Sequence, residues 1–241
     1  MFRVRRLLAP FVLCIALLFS QAQAFTIAWL SDTQNYHNAY KPIFDGMTQW
    51  IADNRAALDI RFVFHTGDVV GSWSSEDQWR QARESMGILS SASIPFLTVC
   101  GNHDIGYAKT PPEGCECIED RLVVVNGLRI LGLGGSAMYS GGPYQYTERQ
   151  MRWRLLRAEL AVRLAGSVDI LLTHAPPRGY GDAEDYAHRG FEAFFPFLDR
   201  FKPKYLIHGH VHMNYGINIP RQVKRGDTTI INAWERYVLE V

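Results

Sequence analysis

Short apolar runs alternate along the chain with longer segments in which apolar residues recur at helical spacing. The short runs predict buried strands, and the longer segments predict amphipathic helices. Strands are predicted over 25–30, 60–64, 95–100, 168–173, 205–207, 228–233 and 237–241, and a hairpin over 122–133. Helices are predicted over 43–51 and 78–89 and from about 148, and a helix or turn over 191–201. The alternation favours an α/β or layered α+β fold.

The predicted helix that begins near Glu148 has a clear start signal. Thr147 and Gln150 have the spacing of a capping box, which satisfies backbone N–H groups at the start of a helix. The apolar residues that follow at helical spacing are Trp153, Leu156 and Leu160. We expect these three side chains to be the stripe that the helix buries.

Residues 1–24 have the pattern of an export signal. A start with three arginines precedes an apolar run over 7–19, and the small residues Ala22 and Ala24 supply a cleavage site. The apolar run is too short to span a bilayer comfortably, so a membrane anchor is the weaker interpretation. We expect cleavage after Ala24, which leaves one domain over 25–241 in the periplasm or outside the cell, without a membrane anchor.

The charge of the chain is nearly balanced. The full sequence has 25 lysines and arginines against 24 acidic residues, and loss of the three leader arginines would leave a formal charge of −2. This balance gives no electrostatic argument for nucleic acid or for an anionic membrane. A dedicated nuclease would favour a basic groove, so specific nucleic-acid binding is not expected. The length allows one well-buried core and leaves little room for a second domain.

Three cysteines follow the predicted leader. Cys100 ends an apolar run and is predicted to lie in the core, whereas Cys115 and Cys117 lie in a predicted surface loop over 107–120. An exported protein can oxidise its thiols, but three cysteines cannot all pair within one chain. A disulfide between Cys115 and Cys117 is one option, and free thiols are the other.

Polar side chains follow the predicted strands at the points where the strands end. They are Asp32, Asp68, Asn102, His174 and the pair His210 and His212. Singly, each could be a helix cap, a turn residue or a loop histidine. Together they predict a shared site, because the carboxyl ends of strands in α/β sheets are where sites form. Mixed oxygen and nitrogen ligands suit first-row transition ions, and their number exceeds what one ion needs, so we predict two metals.

Five motifs carry a resemblance to a known family. They are Asp32-Thr33-Gln34, Gly67-Asp68, Gly101-Asn102-His103-Asp104, Thr173-His174 and Gly209-His210-Val211-His212. Their order resembles that of the five sequence blocks of the calcineurin-like metallophosphoesterases. The resemblance implies a four-layer sandwich in which helices flank two mixed β-sheets. It also implies a dinuclear centre of divalent or transition metal ions such as Mn, Fe or Zn.

The resemblance further implies a ligand set for each ion. One ion would be held by Asp32, Asp68 and His212, and the other by Asn102, His174 and His210, with Asp68 bridging the two. Gln34 departs from the family pattern, which usually has histidine at this position. Gln34 would either bind a metal through its amide oxygen or face the substrate, and Tyr36 is a further candidate ligand.

By resemblance, the protein would be an exported, metal-dependent hydrolase of phosphate mono- or diesters, and its partner a small-molecule phosphate ester. Two cations would lower the pKa of a bridging water to give hydroxide and would offset charge on the phosphoryl oxygens. His103 is predicted as the general acid that protonates the leaving group. Asp104 is predicted to orient the His103 ring and raise its pKa.

Two other functions fit the same residues. In the first, Gln34 marks a degraded metal site in a non-catalytic binding protein. In the second, the protein is a nuclease-type phosphodiesterase.

Further residues are predicted to have supporting or peripheral positions. His65 and His208 are expected in the core or behind the site, and His37 and His188 at the rim or on the surface. The glycine-rich segment over 132–142 would form either a mobile lip, with nearby tyrosines including Tyr139 as substrate walls, or an ordinary connection.

Overall fold

The computed structural model describes residues 24–104, 114–213 and 219–241, so the predicted leader lies outside the described residues except for Ala24. The strands are β1 (Thr26–Ser31), β2 (Ile60–His65), β3 (Phe96–Thr98), β4 (Cys115–Cys117), β5 (Leu122–Val125), β6 (Leu128–Leu133), β7 (Ser136–Ala137), β8 (Gln145–Tyr146), β9 (Ile170–Thr173), β10 (Tyr205–His208), β11 (Gln222–Arg225), β12 (Thr228–Asn232) and β13 (Glu235–Glu240). The helices are α1 (Lys41–Asn54), α2 (Glu76–Ser91), α3 (Glu148–Ala165) and α4 (Phe194–Phe201). Among the described residues, no helix combines the length and the apolar composition needed to cross a bilayer.

Two mixed sheets contain most of the strands. One has the order β13-β1-β2-β3-β4, and the other has the order β11-β12-β10-β9-β6-β5. Inner strands run parallel, as β1 does beside β2 and β10 beside β9, whereas β13 and β11 are antiparallel to their neighbours. Because the inner strands of a sheet are parallel, their carboxyl ends lie along one edge. That edge is where the polar residues of the sequence motifs are placed.

The two faces of each strand enter different cores, since successive strand residues point to opposite faces. In β1, Ile27 and Trp29 pack between the sheets, while Ala28 and Leu30 belong to the core that contains α1 and α2. On the other side of the molecule, α3 and α4 pack on the second sheet around Leu171. The layers therefore follow the order helix, sheet, sheet, helix, which confirms the four-layer sandwich that the family resemblance implied.

The start of α3 is as predicted, but its predicted buried stripe is wrong. Thr147 Oγ1 accepts the N–H of Gln150 at 3.2 Å, and the Gln150 side chain accepts the N–H of Thr147 at 2.8 Å, which confirms the capping box. The residues expected to be buried are instead exposed: Trp153, Leu156 and Leu160. The helix buries a different set at helical spacing: Met151, Leu155, Ala158 and Val162.

An ion pair between residues that are distant in sequence explains why α3 buries a different set of residues from the one predicted. The largely buried guanidinium of Arg154 contacts the carboxylate of Glu119, and its Nε lies 2.8 Å from Asp120 Oδ1. Both acidic residues precede β5, on the sheet that α3 covers. Because two apolar sets recur at helical spacing on this helix, periodicity cannot choose between them. The tertiary contact of Arg154 turns one set inward and leaves the other outside.

The three described cysteines lie on or beside neighbouring strands. Cys115 and Cys117 belong to β4, which pairs with β3, and not to a loop as the sequence predicted. None of the three is in a disulfide, so no such bond joins Cys115 to Cys117. The sulfur of Cys117 lies 4.0 Å from that of Cys100, and Cys100 has the core position predicted for it.

Candidate metal centre

The polar residues predicted at strand ends converge between the two sheets. Asp32 and Asp68 follow β1 and β2 of the first sheet, and Asn102 lies beyond β3. From the second sheet, His174 follows β9 and His210 lies beyond β10. All five are buried. A direct contact joins the two groups, because the backbone N–H of His210 donates to the Asp32 carboxylate at 2.9 Å.

One cluster of ligand atoms surrounds His174. Asp68, His174 and His210 each offer one atom, and these atoms all lie within 4.8 Å of one another. The Nε2 atom of His174 is 3.5 Å from Asp68 Oδ2 and 3.2 Å from Asn102 Oδ1. The other end of the Asn102 amide donates to the hydroxyl of Tyr139 at 3.2 Å, which turns Oδ1 toward His174.

Backbone carbonyls fix the protonation pattern of both imidazoles in this cluster. His174 Nδ1 lies 2.9 Å from the carbonyl oxygen of Thr66, and His210 Nε2 lies 2.8 Å from that of Ala187. Since a carbonyl only accepts, each of these nitrogens carries the hydrogen, and the other nitrogen of each neutral ring has a free lone pair. Lone pairs of nitrogen and oxygen that face one another need a proton or a cation between them. The donor set therefore fits a divalent metal ion.

A second cluster surrounds the side chain of Gln34. One terminal amide atom lies 2.8 Å from the Asp32 carbonyl oxygen and 3.1 Å from that of Asp68, so it is the amide nitrogen, which donates to both. The other terminal atom is therefore the amide oxygen. It lies 3.4 Å from Asp68 Oδ2 and 3.3 Å from His212 Nε2. An oxygen that faces a carboxylate and an imidazole again fits a cation between the three groups.

Glycines allow the backbone to approach the two carboxylates closely. A Cβ at Gly209 would lie 1.9 Å from Ser31 Oγ and 2.6 Å from Asp32 Oδ2. A Cβ at Gly101 would lie 2.0 Å from Asp68 Oδ1. No side chain fits at either place without movement of a candidate ligand. The glycines of these two motifs are thus required by the close approach of one chain segment to another.

Three candidate ligands have left-handed backbone conformations. The φ angles are 54° for Asp32, 54° for Asp68 and 67° for His210. Non-glycine residues adopt such angles rarely, and where they do the surrounding structure must hold them. At Asp68 the holding group is Asp104, whose carboxylate accepts the N–H of Asp68 at 2.7 Å. Strained residues clustered at one place are typical of functional sites.

Burial and mutual charge shift the pKa values of the centre. Burial alone would lower the pKa of His174, but the charges of Asp68 and Asp32 outweigh it and raise the pKa to about 9. Burial would raise the pKa of Asp68, yet His174 holds it well below its usual value. Burial raises the pKa of Asp32 and lowers that of His210 to about 3. Without metal, a proton on His174 thus supplies part of the positive charge that the carboxylates require.

His103 and Asp104 bond to different groups and do not form the pair that the sequence predicts. The Asp104 carboxylate accepts the backbone N–H groups of Asp68, Val69 and Gly101 at distances from 2.7 to 2.8 Å. It does not orient the His103 ring as predicted, because all of its bonds hold the backbone of the two motif loops. The Nδ1 atom of His103 instead donates to the carbonyl oxygen of Gly71 at 3.0 Å. Among the described residues, no group bonds to His103 Nε2.

The side chain of Asp104 is fully buried. Burial, together with the charge of Asp68, raises the pKa of Asp104 to about 7.

The other predicted histidines support the centre from outside it. His65 is buried, accepts the N–H of Gly67 at 3.1 Å and bonds to Thr33 Oγ1 at 3.1 Å, which ties two motif loops together. His37 Nδ1 bonds to the carbonyl oxygen of Gln34 at 3.0 Å. The His188 ring lies 5.1 Å from that of His210 and bonds to Asp185.

Two further candidates lie beside the centre. His208 is buried, and its Nδ1 bonds to the carbonyl oxygen of Gly209 at 3.0 Å. Tyr36, considered as a ligand from the sequence, donates its hydroxyl to Glu235 at 3.0 Å. The tyrosine hydroxyl therefore has a carboxylate partner of its own, and the structure gives no support to Tyr36 as a ligand.

Sequence reasoning missed the groups that orient the ligands. The carbonyls of Thr66 and Ala187 have no sequence signal, because every residue has a carbonyl. The hydroxyl of Ser31 donates to the Asp32 carboxylate and accepts from Thr66 Oγ1. Its position beside Asp32 was the only available hint. The sequence predicts Tyr139 as a substrate wall or a connection residue and gives no sign of its contact with Asn102.

A known protein family matches the part of the chain that contains the candidate ligands. The sequence model of calcineurin-like phosphoesterases matches residues 25–214. An uncharacterized protein of Bacillus subtilis strain 168, YvnB, is 46% identical over 83 residues, which cover 34% of this chain and 6% of YvnB. The human metallophosphoesterase domain-containing protein 1 is 29% identical over 179 residues, covering 58% of this chain and 51% of the human protein. The chain thus aligns with about half or less of the length of these relatives.

Solved structures share the fold at low sequence identity. The protein TT1561 of Thermus thermophilus superposes with a TM-score of 0.61 and 14% identity, over 88% of this chain and 90% of that chain. The sulfate thiohydrolase SoxB of the same genus gives a TM-score of 0.52 and 12% identity, over 87% of this chain and 51% of SoxB. At these identities the likeness concerns the fold alone.

Proposed function

This chain belongs to the calcineurin-like phosphoesterase family, and we propose that it hydrolyses phosphate mono- or diesters at a centre that holds two divalent metal ions. The family is one of metal-dependent phosphoester hydrolases, and the centre described above offers oxygen and nitrogen ligands in sufficient number for two ions. The mixed donor set suits Mn, Fe, Zn or a similar ion.

The position of Asp68 is the observation that carries the proposal. Its Oδ2 atom lies 3.5 Å from the free nitrogen of His174 and 3.4 Å from the amide oxygen of Gln34. One carboxylate oxygen is therefore shared between the Gln34 amide oxygen, which has no hydrogen to offer, and His174 Nε2, which offers one only when the ring is protonated. A shared carboxylate between two ligand groups is what a pair of neighbouring ions needs.

Each ion would have its own set of side chains. One set is Asp32, Gln34, Asp68 and His212, and the other is Asp68, Asn102, His174 and His210. When bound, the ions would lower the pKa of an attacking water and offset negative charge on the phosphoryl oxygens. The alternative that Gln34 marks a degraded site is weaker, because its amide oxygen faces Asp68 and His212 as a ligand would.

His103 would supply the proton to the leaving-group oxygen. Its backbone N–H donates to Asp68 Oδ1 at 3.1 Å, which keeps the residue beside the shared carboxylate. The carbonyl of Gly71 orients the ring through Nδ1, so Nε2 is the atom from which the proton would leave. Asp104 would act on the loops and not on the proton, since its oxygens bond to backbone N–H groups.

The proposed substrate is a small-molecule phosphate ester. The nearly balanced charge of the chain supports this choice over a nucleic acid, which would favour a basic groove. The proposed site of action is the periplasm or the extracellular space, a prediction from residues 1–24 alone.

The proposal is tested by metal analysis combined with hydrolysis rates. The purified protein should contain two ions per chain and cleave an aryl phosphate monoester or diester, and a chelator should abolish this activity until metal is returned. His103→Ala should keep both ions and lose roughly 10²- to 10⁴-fold in rate on alkyl esters, whose leaving groups need a proton. One ion per chain without hydrolysis would support the non-catalytic binding protein instead.

A further inference from the structure

The outer face of α3 presents a continuous apolar stripe to solvent. Its members and their exposed fractions are Trp153 at 59%, Leu156 at 54%, Leu160 at 64% and Leu164 at 81%. At 3.6 residues per turn these side chains fall within about 80° of the helix circumference and run for roughly 16 Å along it. They lie directly opposite the residues that the helix buries against the sheet. Contiguous apolar surface of this kind usually marks an interaction site.

Arginines flank this stripe on both sides. Arg152 and Arg163 lie along one edge, Arg157 lies along the other, and Arg149 lies at the N-terminal end of the stripe; all four are exposed. Within the described part of the chain, Arg163 pairs with Glu159, while the other three make no ion pair. Glu159 is already shared with Arg200 of α4.

An apolar pocket extends the same face. It has a volume of about 160 Å³, opens beside Leu156 between α3 and α4, and is lined mainly by Leu155, Ala193, Pro196 and Phe197. The pocket offers space for apolar groups next to the exposed stripe.

We propose that this face of α3 binds an anionic phospholipid surface. An apolar band with arginines along both edges is the pattern of helices that lie in the plane of a bilayer. The band enters the boundary of the acyl chains, and the arginines reach the phosphates. This face of α3 is exposed to solvent along its length, so a flat surface can reach it. The contact is peripheral and separate from the metal centre, and it does not depend on the proposed hydrolytic function.

Charge argues against a second copy of the chain as the occupant. A two-fold contact through this face would bring the arginines of one copy near those of the other. The one acidic residue on this side of α3, Glu159, already has two arginine partners. An anionic surface, by contrast, pairs with every arginine that flanks the stripe.

Sedimentation with lipid vesicles tests the proposal. The purified protein is mixed with vesicles of phosphatidylcholine that contain phosphatidylglycerol, or with vesicles of phosphatidylcholine alone. We expect binding to the first, much weaker binding to the second, and loss of binding at high salt, since exposed charges are screened. All proteins carry the same N-terminus, verified by intact mass, so the presence or absence of residues 1–24 is the same in every sample.

Substitutions test the contributions of the stripe and of the arginines to binding separately. The triple change Leu156→Gln, Leu160→Gln and Leu164→Gln should abolish binding, and Arg152→Gln with Arg157→Gln should weaken it by about tenfold or more. Glutamine is a good helix former, so α3 should remain folded. The matched controls are Val124→Gln, at a side chain 65% exposed on β5, and Arg83→Gln, on the exposed face of α2. Both controls should bind like the wild type.

Trp153 reports on contact with the bilayer. Its fluorescence should shift to the blue on anionic vesicles, and Trp153→Phe should remove this shift while the protein still sediments. The proposal is overturned if anionic vesicles do not bind the protein, or if the triple leucine variant binds as the wild type does. A concentration-dependent dimer that is lost in Leu160→Gln, without vesicle binding, would also overturn it and assign the face to a second copy.

Discussion

The imidazole of His174 and the carboxylate of Asp68 face each other across 3.5 Å, and both side chains are buried. Burial opposes charge on both groups, but their mutual attraction is stronger. The pKa of His174 is raised to about 9, and the pKa of Asp68 is held below its usual value. Without metal the two residues therefore form an ion pair. A metal ion that binds here must displace the proton of His174.

We predict that the metal-free protein loses stability as the pH rises from about 6.5 to 9. The pKa of His174 in the folded state, about 9, exceeds its ordinary value of 6.5. Its contribution to the free energy of unfolding is therefore complete below pH 6.5 and is lost as the pH rises through 9. The depressed pKa of Asp68 has the opposite sign, so its contribution is present above pH 3.8 and is lost in stronger acid.

Thermal unfolding with a chelator present measures this dependence. The melting temperature should fall across the upper window in wild type and much less in His174→Gln. Metal-loaded protein provides the control, because metal binding requires unprotonated His174 and strengthens as the pH rises. A melting temperature of the metal-free protein that stayed constant or rose over that window would contradict the assignment.

Gln34 should determine the affinity of the first ion. Gln34→Leu removes an amide oxygen that faces Asp68 and His212, so we expect one of the two ions to bind at least about 100-fold more weakly. Gln34→His should keep both ions. The control is Gln49→Leu, which changes an exposed glutamine on α1 that bonds only to Asp53 among the described residues. Calorimetric metal titration gives both affinities. Unchanged binding in Gln34→Leu would mean that this residue is not a ligand.

Tyr139 should set the orientation of the Asn102 amide. Tyr139→Phe removes the oxygen that accepts from Asn102 Nδ2, and the amide can then rotate. Groups that orient a ligand typically contribute about 10- to 100-fold to metal affinity, and we expect a loss in this range for the second ion. Tyr186→Phe, at a residue 64% exposed, is the matched control. If both variants titrate like wild type, the hydrogen bond has no role in ligand orientation.

Gly209 should tolerate no side chain. Gly209→Ala would place a Cβ 1.9 Å from Ser31 Oγ, so we expect a loss of about 3 kcal/mol or more in the free energy of unfolding, together with weaker metal binding. Gly46→Ala is the contrasting change, because that glycine lies within α1 and has open space around its Cβ position. Alanine there should stabilise the protein by about 1 kcal/mol. Denaturant unfolding of the two variants in parallel measures the difference, and similar stabilities would contradict the close approach described at Gly209.

The sequence was sufficient to predict which strands end in polar residues, and the family resemblance implied the layers. Strands that end in Asp32, Asp68 and His174 are recognisable because apolar runs and polar ends are local properties of the chain. The carboxyl ends of parallel strands then meet at one edge, which brings distant residues together. The same reasoning could not assign the bonds of Asp104, since its partners are backbone N–H groups that every residue but proline has.

Other features depend on tertiary contacts that no local pattern contains. Two apolar sets share α3, and the pairing of Arg154 with Glu119 selects the set that is buried. The net charge of the sequence likewise gives no sign of the exposed arginines of this helix, because acidic residues elsewhere in the chain balance them. A balanced total charge thus excluded neither a local basic surface nor a membrane contact.

A crystal structure of the metal-loaded protein, with anomalous scattering recorded at the absorption edge of the bound metal, tests the central claim most directly. The account predicts two anomalous peaks that share the Asp68 carboxylate, one beside Gln34 and His212 and the other beside His174 and His210. A single peak, or two peaks of which neither contacts Asp68, would contradict it.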